Sequence, residues 1–452
     1  MTAHSSEHPT SLLCPQWLLT MDEQHPDQGL QPLTDQAVVL AGDRILDVLP
    51  LDQARLRYPQ LHPLPLPEQV LLPGLHNLHG HAAMSLFRGM SDDLPLMEWL
   101  QDHIWPAEGR WVNPEFVRCG TQLAIAEMLL NGTTCFSDMY FFPEVIAEVA
   151  ATSGIRAQVC TPIIQFPNAW SANPDEALDK TLTLHQQYQA HPLVRVAFGP
   201  HAPYTVDDTT LNRLADLNAS LELRVQMHLH ETAHEVSEAA GPEDNGITPI
   251  QRMDQLGLLN EHFQAVHVTC ISPEDMQLLA ERGVTVVHCP QSNLKLASGF
   301  CPVQALQNAG VRVVLGTDGA ASNNDLDLWS EMQTAALLAK AVHQDAAALP
   351  ATAALKMVTC DAGKAYSAKP FTGQIRSGFA ADLCSLKLDQ PDCWPLHHLT
   401  SQLVYGRMGD KVQQVWVNGQ QRVKDGKLVD IDLLALKDQV RGWRDAIQAH
   451  HP

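Results

Sequence analysis

Eight short runs rich in β-branched and apolar residues punctuate the middle of this chain, at 70–75, 133–139, 156–164, 194–198, 223–229, 265–269, 284–288 and 311–315. Longer stretches lie between them, including 116–130, 144–153, 209–217, 250–258, 273–282 and 303–309, with apolar residues near a 3.6-residue spacing. Eight strand-then-helix units predict an α/β fold, a (β/α)8 barrel of parallel strands whose chemistry gathers at the strand C-termini. An open doubly wound sheet fits less well. No glycine-rich phosphate loop follows the first run, and the polar candidates are spread over several strand ends instead of one crevice.

The two ends of the chain read differently. Residues 11–68 and 371–423 hold short alternating runs broken by Gly and Pro, which predict a small β-sandwich assembled from both termini. The expected organisation is an N-terminal part of that sandwich at 1–68, a metal-dependent catalytic barrel at 69–370, and the C-terminal part plus a terminal helix at 371–452. The Pro-rich stretch 63–67 reads as a linker into the barrel. A length of 452 residues accommodates one large barrel and one smaller unit. The net charge of −22, with no basic block to offset it, argues against nucleic acid or anionic lipid as a partner and favours small molecules. No long apolar run appears, and residues 1–20 lack a basic-then-apolar leader pattern, so a cytoplasmic protein is expected. The ten Cys are scattered without CxxC pairing and read as reduced core thiols.

A His-x-His pair, His79-Gly-His81, stands just beyond the first run. Residues i and i+2 of a strand point to one side, so the pair can offer two imidazoles to one metal ion. With 22 His in the chain such a pair arises easily by chance, and its weight comes from what stands at other strand ends. His228, His267 and Asp318 each lie in or just after an apolar run. Three neutral imidazoles and one carboxylate suit Zn²⁺, can also hold Fe²⁺ or Mn²⁺, and leave a position for water. His79, His81, His228 and Asp318 are assigned as that set, for one divalent ion per subunit. Such an ion brings the pKa of a bound water toward ~7, which makes the site hydrolytic. Glu231, three residues after His228, is the expected acid/base, and His267 and Asp318 could share the work of holding and deprotonating the water.

These residues sit in a pattern that resembles the amidohydrolase superfamily over nearly the whole chain, in particular its branch of deaminases acting on methylthioadenosine and S-adenosylhomocysteine, alongside the triazine hydrolases. The anchors are Pro73-Gly-Leu-His-Asn-Leu-His79-Gly-His81, the segment 88–100, Asn131-Gly-Thr-Thr134, Gly199-Pro-His201-Ala-Pro-Tyr204, His228-Leu-His-Glu231-Thr, His288-Cys-Pro-Gln-Ser-Asn293, Gly316-Thr-Asp318-Gly, and the flank 373–383. The runs 156–164 and 194–198 contain no lysine to bridge a second ion, in keeping with the one-metal members. The resemblance implies that Glu231 protonates purine N1 while water attacks C6, and that Asp318 carries the proton toward departing ammonia. It further implies that Glu108 accepts the ribose hydroxyls, that His201 meets the purine, and that Ser322 reaches N7. No arginine stands between Arg156 and Arg195 to grip a homocysteine carboxylate, which favours methylthioadenosine and adenosine as substrates. A homodimer or homotetramer is expected.

Other readings compete. A guanine-type deaminase or a chlorotriazine hydrolase shares the metal set, but a ring without ribose has no use for Glu108. A non-catalytic metal-binding scaffold would have no need of both Glu231 and Asp318. Residue by residue, His230, His288 and Asn293 read as structural, His267 as either a proton carrier or an orienter, Ser322 as either a ligand contact or a cap, and Trp99, Trp105 and Trp111 as core packing, with a ligand-facing Trp105 beside Glu108 as the alternative.

Overall fold

The computed structural model describes residues 8–25, 29–239, 246–367 and 369–449. Helix starts in the middle of the chain are written in local chemistry. Asn113, Asn173, Thr248 and Ser272 each cap a helix whose first turn opens with proline, and the side chain of each accepts backbone N–H groups left over at the helix start. Thr248 and Gln251 close a reciprocal capping box. Gly154 and Gly283 end their helices at φ of 71° and 70°, which glycine adopts without Cβ strain.

Between these helices run the strands. In chain order they are β1 (Ser11–Leu18), β2 (Gln36–Ala41), β3 (Arg44–Pro50), β4 (Pro63–Pro73), β5 (Leu75–Asn77), β6 (Thr133–Met139), β7 (Arg156–Ile163), β8 (Val194–Pro200), β9 (Val225–Leu229), β10 (Phe263–His267), β11 (Thr285–His288), β12 (Arg312–Leu315), β13 (Leu383–Lys387), β14 (Val412–Val417), β15 (Gln420–Lys424) and β16 (Lys427–Leu428). Strands β5 to β12 pair in sequence order, every pair parallel. The last meets the first: Leu78 N donates to Leu315 O at 3.0 Å and Asp318 N to His79 O at 3.1 Å. This closes the predicted barrel. Its strands are buried on both faces because helices such as Pro114–Leu130 and Pro143–Ser153 cover the outside, which is why they read as continuous apolar runs.

The remaining strands form a second eight-stranded sheet in the order β16-β15-β14-β13-β4-β1-β2-β3, so both chain ends do contribute to it. Two expectations about the junction need correction. The stretch 63–67 is no linker: it is the first half of β4 and pairs in parallel with β1. Proline is tolerated there because this half of β4 pairs on one side, Leu12 opposite Pro63 and Cys14 opposite Pro65, while β13 pairs only with Gln69 to Pro73. The run 70–75 is likewise not one barrel strand. Residues 70–73 complete β4 and pair with β13, while Leu75 opens the three-residue β5. Apolarity cannot separate two sheets that are both buried at that point, and a division at 68/69 would fall inside β4.

The terminal helix is present as Leu433–Gln448. Helices Leu328–His343, Ala351–Val358 and Cys360–Tyr366 follow β12. All ten cysteines are free and eight are buried. Among the described residues no helix is long and apolar enough to cross a membrane.

Candidate metal centre and substrate pocket

The closed barrel brings its strand C-termini together, and the chemistry is there. His79 and His81 follow β5, His201 follows β8, His228 lies in β9, Glu231 follows it, His267 ends β10, and Asp318 follows β12. One nitrogen from each of His79, His81 and His228 lies within 4.8 Å of the others. Asp318 Oδ1 stands 3.4 Å from His79 Nε2 and 3.2 Å from His81 Nε2.

The other ring nitrogens are already committed. His79 Nδ1 donates to Gln226 Oε1 at 2.9 Å, His81 Nδ1 to Met139 O at 2.6 Å, and His228 Nδ1 to His201 O at 2.7 Å. A donating Nδ1 leaves Nε2 with its lone pair, which is what a cation needs. His79 Nε2 is buried without a hydrogen-bond partner. A buried unpaired acceptor is costly, and this donor set of three imidazoles and a carboxylate fits a divalent cation in its midst.

Asp318 is held by its neighbours. Ser292 Oγ and Ser322 Oγ donate to Oδ2 at 2.6 and 3.0 Å, and Gly319 N donates to Oδ1 at 2.8 Å. Burial opposes its charge, yet His79 and His81 hold the carboxyl well below the usual carboxylate range. Asn77 fastens the segment before it, accepting from Thr317 N at 3.0 Å and donating to Thr317 Oγ1 at 2.7 Å. His230, His267 and Asp318 have φ of 54°, 75° and 61°, a left-handed backbone that residues with a Cβ adopt only when their surroundings enforce it.

Glu231 sits 3.8 Å from His267 Nε2 through its Oε1. Burial pushes its carboxyl up to about 8, with Asp318 adding to the rise and His81 opposing it. His267 Nδ1 donates to Asn293 Oδ1 at 2.8 Å, so Asn293 orients the ring. Burial, and then the neighbouring His81 and His79, push His201 down to about 4, so its imidazole is neutral at pH 7. His230 is fully engaged, Nδ1 with Cys270 O at 2.7 Å and Nε2 with Ile250 N at 3.3 Å.

A cavity of about 380 Å³ opens onto this cluster, within the size range of small-molecule sites. It is lined by His81, Glu108, His201, His228, Glu231, His267, Asp318 and Ser322, every residue given a catalytic, substrate or metal role from the sequence except His79. Glu108 reaches it from helix Trp105–Trp111, half-buried, where burial pushes its carboxyl up to about 7 against the pull of Tyr140 and His81. Trp105, 40% exposed, stands beside it.

Three contributors escaped the sequence reading: Gln226, Ser292 and Glu331. Gln226 had a local signal, since it shares a strand face with His228 two residues on. Glu331 is fully buried in helix Leu328–His343 and accepts from Gln291 N at 3.1 Å and from Asn323, tying the segment of Ser292 to that of Ser322. Nothing local marks it or Ser292, because both act across sequence gaps of eight residues or more.

The geometry agrees with what the chain is similar to. A protein of Saccharophagus degradans named 5-methylthioadenosine/S-adenosylhomocysteine deaminase is 47% identical over 413 residues, 91% of this chain and 92% of that one. A 5'-deoxyadenosine deaminase of Methanopyrus kandleri is 40% identical over 366 residues, covering 81% and 84%. The crystal structure of an adenosine deaminase from Xanthomonas campestris with bound zinc superposes with a TM-score of 0.92 at 45% identity, over 97% of this chain and 98% of that one. The model of the amidohydrolase family matches residues 70–422, which span the barrel and, of the second sheet, β13, β14 and parts of β4 and β15. With that match and these relatives, the chain belongs to the amidohydrolase family.

Proposed function

We propose that the protein hydrolytically deaminates the adenine C6 amino group of 5'-methylthioadenosine, and of adenosine, releasing ammonia and the inosine analogue. The observation that carries this is the convergence on one cavity of an imidazole–carboxylate cluster, the buried Glu231 carboxyl, and Glu108. The relatives' names point to the same chemistry.

His79, His81, His228 and Asp318 would hold one divalent ion, most simply zinc, and when bound it supplies the Lewis acidity that makes water ionise near neutral pH. Glu231, kept protonated by burial, donates to purine N1 as the water oxygen adds to C6. Asp318, with His267 beside it, takes up one water proton and returns it to the amino group so that C6–N breaks and ammonia leaves, while the proton of the C6 hydroxyl passes to Glu231, forming the carbonyl and restoring the acid. His201, neutral, faces the purine edge. Glu108 accepts the vicinal ribose hydroxyls, two donors for two carboxylate oxygens. We assign Ser322 to orienting Asp318 in preference to N7, because its hydroxyl already donates there at 3.0 Å.

Selectivity follows from charge. Among the described residues no lysine or arginine lines the cavity, whereas Leu96, Trp99, Leu100, Phe141 and Phe166 do. An apolar methylthio group suits this wall, and the zwitterionic end of S-adenosylhomocysteine finds no cationic partner there. The test is loss of adenine absorbance by the zinc-loaded protein with methylthioadenosine, adenosine, S-adenosylhomocysteine and guanine, beside Glu231→Gln. Turnover of methylthioadenosine that vanishes in the variant is expected. Silence on every nucleoside with zinc tightly bound would overturn the reading.

A further inference from the structure

Beneath the histidines the barrel interior carries an amide layer that the proposed reaction does not use. Gln158 in β7, Gln226 in β9 and Gln264 in β10 are 2%, 0% and 1% exposed. Buried glutamine is uncommon, since both its amide hydrogens and its oxygen need partners. Here the bonds run in one direction. Gln264 Nε2 donates to the backbone oxygen of Ala365 at 3.3 Å, which leaves its Oε1 to accept from Gln158 Nε2 at 2.7 Å and Gln226 Nε2 at 2.8 Å. Gln226 Nε2 also donates to Leu78 O at 2.9 Å.

With both amide hydrogens committed, Gln226 presents its oxygen to His79 Nδ1. An amide oxygen only accepts, so Nδ1 must carry the hydrogen and Nε2 must keep its lone pair toward the cluster. Turning the amide over would set oxygen against Leu78 O and Gln264 Oε1, two acceptors, and would remove the hydrogen bond that each receives from Gln226. His81 and His228 pass their Nδ1 hydrogens to backbone carbonyls, so within the trio His79 alone depends on a side chain. The acceptor is also neutral, so it orients the ring without adding a negative charge behind it.

We infer that Gln226, anchored by Gln264 and Gln158, is the positioning residue that fixes the tautomer of His79 and thereby sets how tightly the centre holds its divalent ion. The inference rests on reading the three histidines as metal ligands. Zinc dissociation constants, from competition against a chelator of known affinity, decide it for the unaltered chain, Gln226→Met, Gln226→Glu and Gln264→Met, alongside thermal melts of the metal-free proteins. Gln226→Met is expected to bind zinc about 10–100-fold more weakly while still melting cooperatively. Gln226→Glu, which keeps an acceptor at Nδ1, recovers part of that loss, and Gln264→Met, one bond further away, loses about two- to tenfold. Unchanged zinc affinity in Gln226→Met overturns the inference. Should that variant not fold, unchanged affinity in Gln264→Met overturns it instead. An unaltered chain that binds no zinc would sink the metal-centre reading as well, an outcome distinct from variants that bind as tightly as their parent.

Discussion

Asp318 shows how much one residue depends on its partners. Its carboxylate faces two imidazoles on one oxygen and two serine hydroxyls on the other, and all four come from elsewhere in the chain or from the next turn. Hydrogen bonds to charged groups contribute about 1.5–3 kcal/mol, so Ser292→Ala should lower kcat by at least tenfold while leaving KM for methylthioadenosine nearly unchanged. A KM that rises with constant kcat would show that Ser292 serves binding instead. Glu231→Gln keeps the shape and hydrogen-bonding reach of the side chain but removes the transferable proton. A fall in kcat of about 10²–10⁴-fold with undiminished zinc content is expected, checked by absorbance assay and metal analysis. At this scale the ligand-type residues were legible because their spacing from an apolar run is local information. Ser292 and Glu331 were not, since their meaning depends on which loop lies opposite.

Among the elements, β5 is the most demanding. Three residues long, it must present His79 and His81 while meeting β12 across the seam of the barrel. Gly316 permits this approach: a Cβ there would lie 2.7 Å from His79 N and 2.9 Å from His79 O. Backbone atoms cannot step aside, so Gly316→Ala is expected to cost about 1–3 kcal/mol and to weaken zinc binding together with stability. Denaturant melts with and without zinc would test it, and a variant as stable as its parent would refute the close-packing argument. Most strand positions followed from β-branched runs and the helices from apolar residues near a 3.6-residue spacing, while Asn113, Asn173, Thr248 and Ser272 before proline set where four of those helices start. The junction at β4 did not, because a proline-rich edge and a continuous apolar run each permit more than one assignment until the pairing partners are known.

For the molecule as a whole, one buried ion pair joins barrel to second sheet. Arg156 at the start of β7 grips Asp382 just before β13 through two guanidinium nitrogens, donates also to Asn418 Oδ1 at 2.9 Å and to Pro192 O at 2.8 Å, and both charged groups are about 1% exposed. Removing one partner leaves an uncompensated buried charge. Arg156→Leu should therefore destabilise the fold by about 3–5 kcal/mol, measured by denaturant unfolding, with the activity of the remaining folded fraction unchanged. Stripping the metal acts at the same scale. Chelation should abolish turnover and lower the melting temperature, since an ion at 100 times its dissociation constant stabilises by about 2.7 kcal/mol, and added zinc should restore both. A melting temperature indifferent to chelator would count against the centre.

The amino-acid sequence by itself determined the strand–helix alternation of the barrel, the helix caps and the residue types able to hold a cation, because each is set by side chains a few positions apart. Tertiary structure decided the rest: that β4 belongs to the second sheet, that Asp318 meets His79 across the barrel seam, and that three glutamines stand under that histidine. Those outcomes rest on contacts between residues far apart in the chain, and such contacts exist only once the barrel has closed.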